Sequence, residues 1–258
     1  MLQDNSNEYN VEAFVIPTCN ILGVNIAAIN MEWLLDFLTK HINSLSGQYI
    51  CVSNVHTTIT SFEDDDYRKI QNESIMSIPD GGPLSTVGRK RGHTLMDRTT
   101  GPDLMGEIFK VSIERGYKHY FYGSTEETLQ KLNEKLTLQY PGIDIVGTYS
   151  PPFRTLTKEE DEQIIKIIND SNPDFVWVGL GAPKQEKWMA AHVKKINGLM
   201  VGVGAGFDYF AENIKRAPVW MQRFNLEWLY RLLQDPRRLF LRYFKTNIKF
   251  LWLIGRGK

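Results

Sequence analysis

Six short runs rich in β-branched and aromatic residues recur along this chain, separated by segments with helical spacing. The runs are residues 49–53, 75–78, 119–122, 144–147, 174–178 and 199–203. Helical patterns fall at 31–43, 65–72, 102–115, 125–139, 158–170 and 183–195. Strands that alternate with helices pair in parallel, because each crossover helix has to pack back onto the sheet it left. The predicted fold is therefore α/β: a Rossmann-like, mostly parallel sheet with helices on both faces. The stretch before about residue 100 is less regular, which predicts a small N-terminal lobe packed on that sheet. Ser124 with Glu127, and Thr157 with Glu160, have the spacing of helix capping boxes.

Charge divides the chain again. The total of 30 Lys and Arg against 30 Asp and Glu is neutral. Residues 212–258 hold 11 of the basic and 3 of the acidic residues, a net +8, which leaves −8 on residues 1–211. An acidic body with a basic tail suits attachment to an anionic surface. The expected partition is an N-terminal extension at 1–20, an α/β body at 21–211 and a C-terminal membrane-associating helical tail at 212–258. Helical spacing from Pro236 puts Phe240, Tyr243, Phe244, Ile248, Leu251 and Trp252 near one face of that tail. Arg238, Arg242, Lys245 and Lys249 fall on another face, with Arg237 at the start. Such a helix can lie in a membrane interface, and the competing reading is a helix that docks its aromatics on the body. No run of 18 apolar residues is present and the first ten residues have no signal-peptide character, so a peripheral protein is expected. Two cysteines, Cys19 and Cys51, cannot build a disulfide scaffold or a four-ligand zinc site, which favours a reducing, cytosolic compartment. No nucleic-acid partner is expected. The sequence says nothing of oligomeric state, and a homo-oligomer stays open.

Chemistry-bearing residues collect after the strand-like runs, where an open α/β sheet binds its ligands. Ile78-Pro-Asp-Gly-Gly-Pro83 sets Asp80 at the tip of a turn, with Gly81 allowing close approach; plain turn chemistry is the competing reading. Asn54, His56 and Thr57 follow the run at 49–53 and could hold a sugar or merely cap the next helix. Gly179-Leu-Gly-Ala-Pro-Lys-Gln-Glu186 makes a glycine turn at Gly181 and opens a helix with Pro183 at its first position. Lys184, Gln185 and Glu186 would sit at that helix N-terminus, an address for phosphate. Arg98, Gly101 and Asp103 surround another helix start, where Arg98 pairs with Asp103 or with a phosphate. Gly202-Val-Gly-Ala-Gly-Phe-Asp208 supplies Gly204, Phe207 and Asp208; its spacing departs from a dinucleotide fingerprint, which weakens a nicotinamide oxidoreductase reading. Glu63-Asp-Asp-Asp66 resembles a metal clasp but leads into a helix, where acidic residues favour the macrodipole, so no metal site is expected.

Taken together these pieces resemble the WecG/TagA/CpsF glycosyltransferases, glycosyltransferase family 26. The matching residues are Asn54, Pro79-Asp-Gly81, Arg98, Gly101, Asp103-Leu104, Gly179 to Glu186, Gly202-Val-Gly204, Phe207-Asp208 and Lys215-Arg-Ala-Pro218. Leu226-Glu-Trp-Leu-Tyr-Arg-Leu232 and Pro236-Arg-Arg238 continue the match, in order, over roughly residues 20–250. The resemblance implies a bacterial enzyme, peripheral on the cytoplasmic face of the membrane. It would move N-acetylmannosamine, its uronic acid or another hexose from a UDP donor to an undecaprenyl-diphosphate-linked sugar. The product would serve teichoic acid linkage units, enterobacterial common antigen or capsule. It also implies Asp80 as general base for an inverting displacement without a divalent metal or other cofactor. The departing diphosphate would then fall to Lys184, Gln185, Arg216 and Arg223. Two departures stand out: a second glycine after Asp80-Gly81, and Ala211-Glu-Asn where Ala-Gly is expected after Phe207-Asp208. The second alters a stretch expected to contact the donor sugar. A catalytically inactive nucleotide-binding scaffold of the same fold is the alternative from another class.

Overall fold

The computed structural model describes residues 14–257; the first part of the expected N-terminal extension lies outside them. Eight strands form one sheet: β1 (Thr18–Ile21), β2 (Val24–Ala27), β3 (Tyr49–Ser53), β4 (Met76–Pro79), β5 (Lys118–Gly123), β6 (Asp144–Tyr149), β7 (Phe175–Gly179) and β8 (Leu199–Gly202). Their order is β1-β2-β4-β3-β8-β7-β5-β6. Every neighbouring pair is parallel except the β1–β2 hairpin. The α/β sheet expected from the alternation is present. The N-terminal region differs from expectation: β1 to β4 are half of this same sheet and not a separate lobe, and pairing begins at Thr18, inside the expected extension.

Helices are α1 (Met31–His41), α2 (Val55–Glu63), α3 (Asp65–Glu73), α4 (Gly82–Lys90), α5 (Gly101–Arg115), α6 (Glu126–Gln139), α7 (Lys158–Asp170), α8 (Lys184–Ala191), α9 (Gly206–Phe210), α10 (Val219–Arg223), α11 (Glu227–Gln234) and α12 (Pro236–Gly255). The central strands are apolar throughout because both faces are covered. Along β7, Phe175 and Trp177 join one core with Leu34, Phe109, Leu132 and Phe207, while Val176 and Val178 join another with Ile164, Ile168 and Met189. The Thr157–Glu160 capping box is present at α7. Ser124 does not cap α6: it takes a left-handed φ of 61°, and Thr125 accepts the Thr128 amide instead. At α8 Pro183 precedes the first helical residue and is not inside it.

The tail helix α12 matches neither expected role alone. Phe250 and Leu253 are buried against Cys19, Ile21, Leu84 and Val87, so the helix docks on the body as a core element. Phe240, Phe244, Ile248, Leu251 and Trp252 all stay more than half exposed on another face.

Candidate active site

Four strands adjacent in the sheet, β4-β3-β8-β7, end at one edge. Each delivers a predicted site loop there: Asp80 after β4, Asn54 after β3, Gly204 after β8 and Gly181 after β7. The Asp80 amide donates to the Ser53 carbonyl at 2.7 Å, tying the Asp80 turn to its neighbour strand. Gly81 holds φ at 112°, a conformation that side chains resist, so the turn requires glycine there. Asp80 itself is half-buried. Burial pushes its carboxyl up to about 6 against the opposing Arg98 charge; Glu227 adds to the rise, while an Asn54 hydrogen bond and Arg231 act the other way.

Asn54 is both a cap and a site residue. Its Oδ1 accepts from the His56 and Thr57 amides at 3.0 and 3.2 Å. The side-chain nitrogen is thereby left to face the Asp80 carboxylate. Thr57 completes the capping box, its Oγ1 accepting the Asn54 amide at 2.8 Å, and is buried. Thr57 is therefore spent on the helix and does not face a ligand. His56 contributes its backbone amide to the same cap.

A charged cluster closes the other side. Arg98 pairs with Glu227 and lies 3.6 Å from Asp103. Arg216 donates from Nη1 to Asp103 at 2.6 Å, and its Nε is 3.6 Å from Glu227. Burial works to raise the Asp103 carboxyl, but hydrogen bonds from Arg216 and Thr100 and the charges of Arg216 and Arg98 hold it below its usual range. Arg216 Nε and Nη2 are buried with no hydrogen-bond acceptor. The Tyr209 ring lies 5.8 Å from the Arg216 guanidinium and 5.6 Å from that of Arg231. Tyr209, Glu227 and Arg231 were not singled out individually from sequence. The signal was there for two of them, since Glu227 and Arg231 stand four apart, one helical turn, inside the Leu226–Leu232 run.

Several predicted ligand residues belong to the frame. Gln185 is buried; its Oε1 accepts from the Gly181 and Gly204 amides at 3.1 and 3.0 Å, and its Nε2 donates to Glu186 at 2.8 Å. It ties the loops after β7 and β8 together. Glu186 is fully buried, and burial raises its carboxyl despite hydrogen bonds from Gln185 and Tyr67. Neither faces an anion at the α8 N-terminus; only Lys184 of the three is exposed there. Phe207 is a core ring, 5.5 Å from Phe121, and Gly101 packs where a Cβ would meet the Val203 carbonyl at 3.3 Å. Asp208 accepts from the Asn213 side chain at 3.3 Å and holds the following turn through its carbonyl. The structure brings together Asp80, Gly81, Asn54, Arg98, Asp103 and Arg216.

Of the predicted membrane residues, Arg237 and Lys245 are exposed, while Lys249 pairs with Glu63 and lies over the Phe62 ring. The side chains of Arg223, Arg238 and Arg242 lie outside the described residues. The acidic run is accounted for: Asp64 caps α3 and Asp65 pairs with Arg68. Among the described residues no helix is long and apolar enough to cross a membrane.

Comparison with known proteins bears on most of the chain. The family model described as "Glycosyl transferase WecG/TagA/CpsF family" matches residues 19–258. A Bacillus subtilis (strain 168) protein named N-acetylglucosaminyldiphosphoundecaprenol N-acetyl-beta-D-mannosaminyltransferase is 33% identical over 214 residues, covering 81% of this chain and 80% of its own. Proteins of the same name from Bacillus spizizenii and Staphylococcus aureus (strain MW2) are 31% identical over 201 residues and 28% identical over 242. They cover 78% and 93% of this chain, and 76% and 92% of their own lengths.

Proposed function

We propose a reaction on the premise that the chain belongs to the WecG/TagA/CpsF family of glycosyl transferases: transfer of a sugar from a UDP donor to an undecaprenyl-diphosphate-linked sugar. The relatives' names favour N-acetylmannosamine as the sugar moved and N-acetylglucosaminyl-diphosphoundecaprenol as the acceptor. The observation that carries the reading is Asp80, a half-buried carboxyl held near pH 6 at the sheet edge beside cationic groups.

A base with that affinity is ionised at neutral pH yet still binds a proton usefully. Asp80 would take the proton of the acceptor hydroxyl as its oxygen attacks the anomeric carbon. The bond from that carbon to the UDP phosphate oxygen breaks as the new bond forms, so the configuration inverts. The charge left on UDP calls for fixed donors. Arg216 supports this role because two of its buried nitrogens have no acceptor of their own, and Arg231 and Lys184 add positive charge at the same edge.

The exposed apolar face of α12 supports peripheral attachment to the membrane that holds the lipid-linked acceptor, and a cytosolic UDP donor would put that attachment on the cytoplasmic face. Trp220 in α10 and Phe224 just after it are also more than half exposed. Replacing Asp80 with Asn tests the mechanism: transfer should fall by about 10²- to 10⁴-fold while UDP still binds. Undiminished turnover in that variant sinks it, and an absence of any turnover in the parent points to the scaffold reading.

A further inference from the structure

The second glycine of the catalytic turn is unlike the first. Gly81 needs its left-handed conformation, but Gly82 is the first residue of α4 and has no such φ. Glycine there loses more backbone freedom on folding than alanine would, so conformation does not explain it. Space does. A Cβ built on Gly82 would fall inside the Asn225 side chain, overlapping its Cβ, Cγ and Oδ1.

Asn225 is also the residue type its own place demands. It turns the chain between α10 and α11 with φ of 59°, a region where Asn is among the few tolerated residues. The loop is closed by the Asn225 amide on Gln222 at 3.0 Å and the Leu226 amide on Met221 at 2.8 Å. Two residues further on is Glu227, and one helical turn beyond that Arg231; both act on Asp80.

We infer that Asn225 is a positioning residue: its side chain seats in the gap left at Gly82 and fixes the α10–α11 segment over the Asp80 turn. The overlap reaches the Asn225 Cβ, which no side-chain rotation can move, so a methyl at position 82 drives the whole loop back. Glu227 and Arg231 then leave with it, and Asp80 is uncovered. The inference rests on the reading of Asp80 as the base only for its catalytic arm.

The test is a double-mutant cycle in the full chain: G82A, N225G and G82A/N225G, the glycine at 225 keeping the positive φ. G82A should lower kcat/KM about tenfold and N225G about threefold, and the pair should lose no more than N225G alone, since the clash is gone. The acid limb of the pH profile should move below 6 in G82A and back towards 6 in the pair. Limited proteolysis should cut residues 217–235 faster in G82A than in the pair, a reading that needs no activity. Losses that multiply in the pair, or a G82A protein with the parent's acid limb and cleavage rate, overturn the inference. If G82A alone fails to fold, recovery of the folded protein in the pair supports the contact and no recovery overturns it. A parent without transfer activity defeats the proposed reaction, while the proteolysis arm still decides the role of Asn225.

Discussion

Asn54 commits its side-chain oxygen to the first turn of α2 and its side-chain nitrogen to the Asp80 carboxylate. One residue thus couples a helix cap to the charge state of the proposed base, and the two duties respond differently to substitution. Asn54→Asp keeps a good cap, so thermal stability near pH 4 should change little. It sets a second carboxylate against Asp80, which raises the pH at which Asp80 ionises. The acid limb of kcat/KM should move above 6, with activity at pH 7 down about tenfold or more. An unmoved limb would remove Asn54 from the site.

Glu227 works in the same direction as that second carboxylate. It raises Asp80 directly and pairs with Arg98, the guanidinium that opposes the rise. Glu227→Gln should therefore move the acid limb below 6. The measurement is kcat/KM against pH with a saturating acceptor; a limb that rises contradicts the arrangement.

The raised Asp80 also has a stability signature. A carboxyl that holds its proton more tightly when folded, about 6 against an ordinary 3.8, makes folding less favourable as pH climbs through that window. Asp80→Asn should then stabilise the protein at pH 7–8 by on the order of 1–3 kcal/mol, an advantage that fades below about pH 4. Thermal melts of both proteins at pH 4 and 8 read it. Equal melting differences at the two values would mean Asp80 is not strained by its setting.

Membrane attachment should follow the exposed stripe of α12. Phe244→Ser with Ile248→Ser removes two side chains that are 56% and 52% exposed. Flotation with phosphatidylglycerol vesicles should weaken by about tenfold or more, at roughly 1–2 kcal/mol for each lost apolar group. UDP binding in solution should be unchanged. Full vesicle binding by the variant would assign the stripe to another partner.

The central sheet was legible because buried parallel strands announce themselves as apolar runs between helices. The β1–β2 hairpin was not, since its strands are four residues each and its turn is Leu22-Gly23, with Leu22 in the left-handed region. Helix α2 was hidden by its own composition: Val55, Thr57, Thr58, Ile59 and Thr60 are β-branched, and the Asn54–Thr57 capping box overrides their preference. The site loops could be found from their positions after strands. What sequence could not say was which way each side chain turns. Gln185 and Glu186 have the chemistry of ligand residues, yet the helix phase of α8 aims both inward.

The two apolar faces of α12 have a practical consequence for anyone handling the protein. Cutting the chain before Pro236 to make it less sticky would strip the wall from Cys19, Ile21, Leu84 and Val87, trading one greasy surface for another. Only the outward face is free to be rewritten with polar residues, so detergent-free preparations call for repainting that face and keeping the helix.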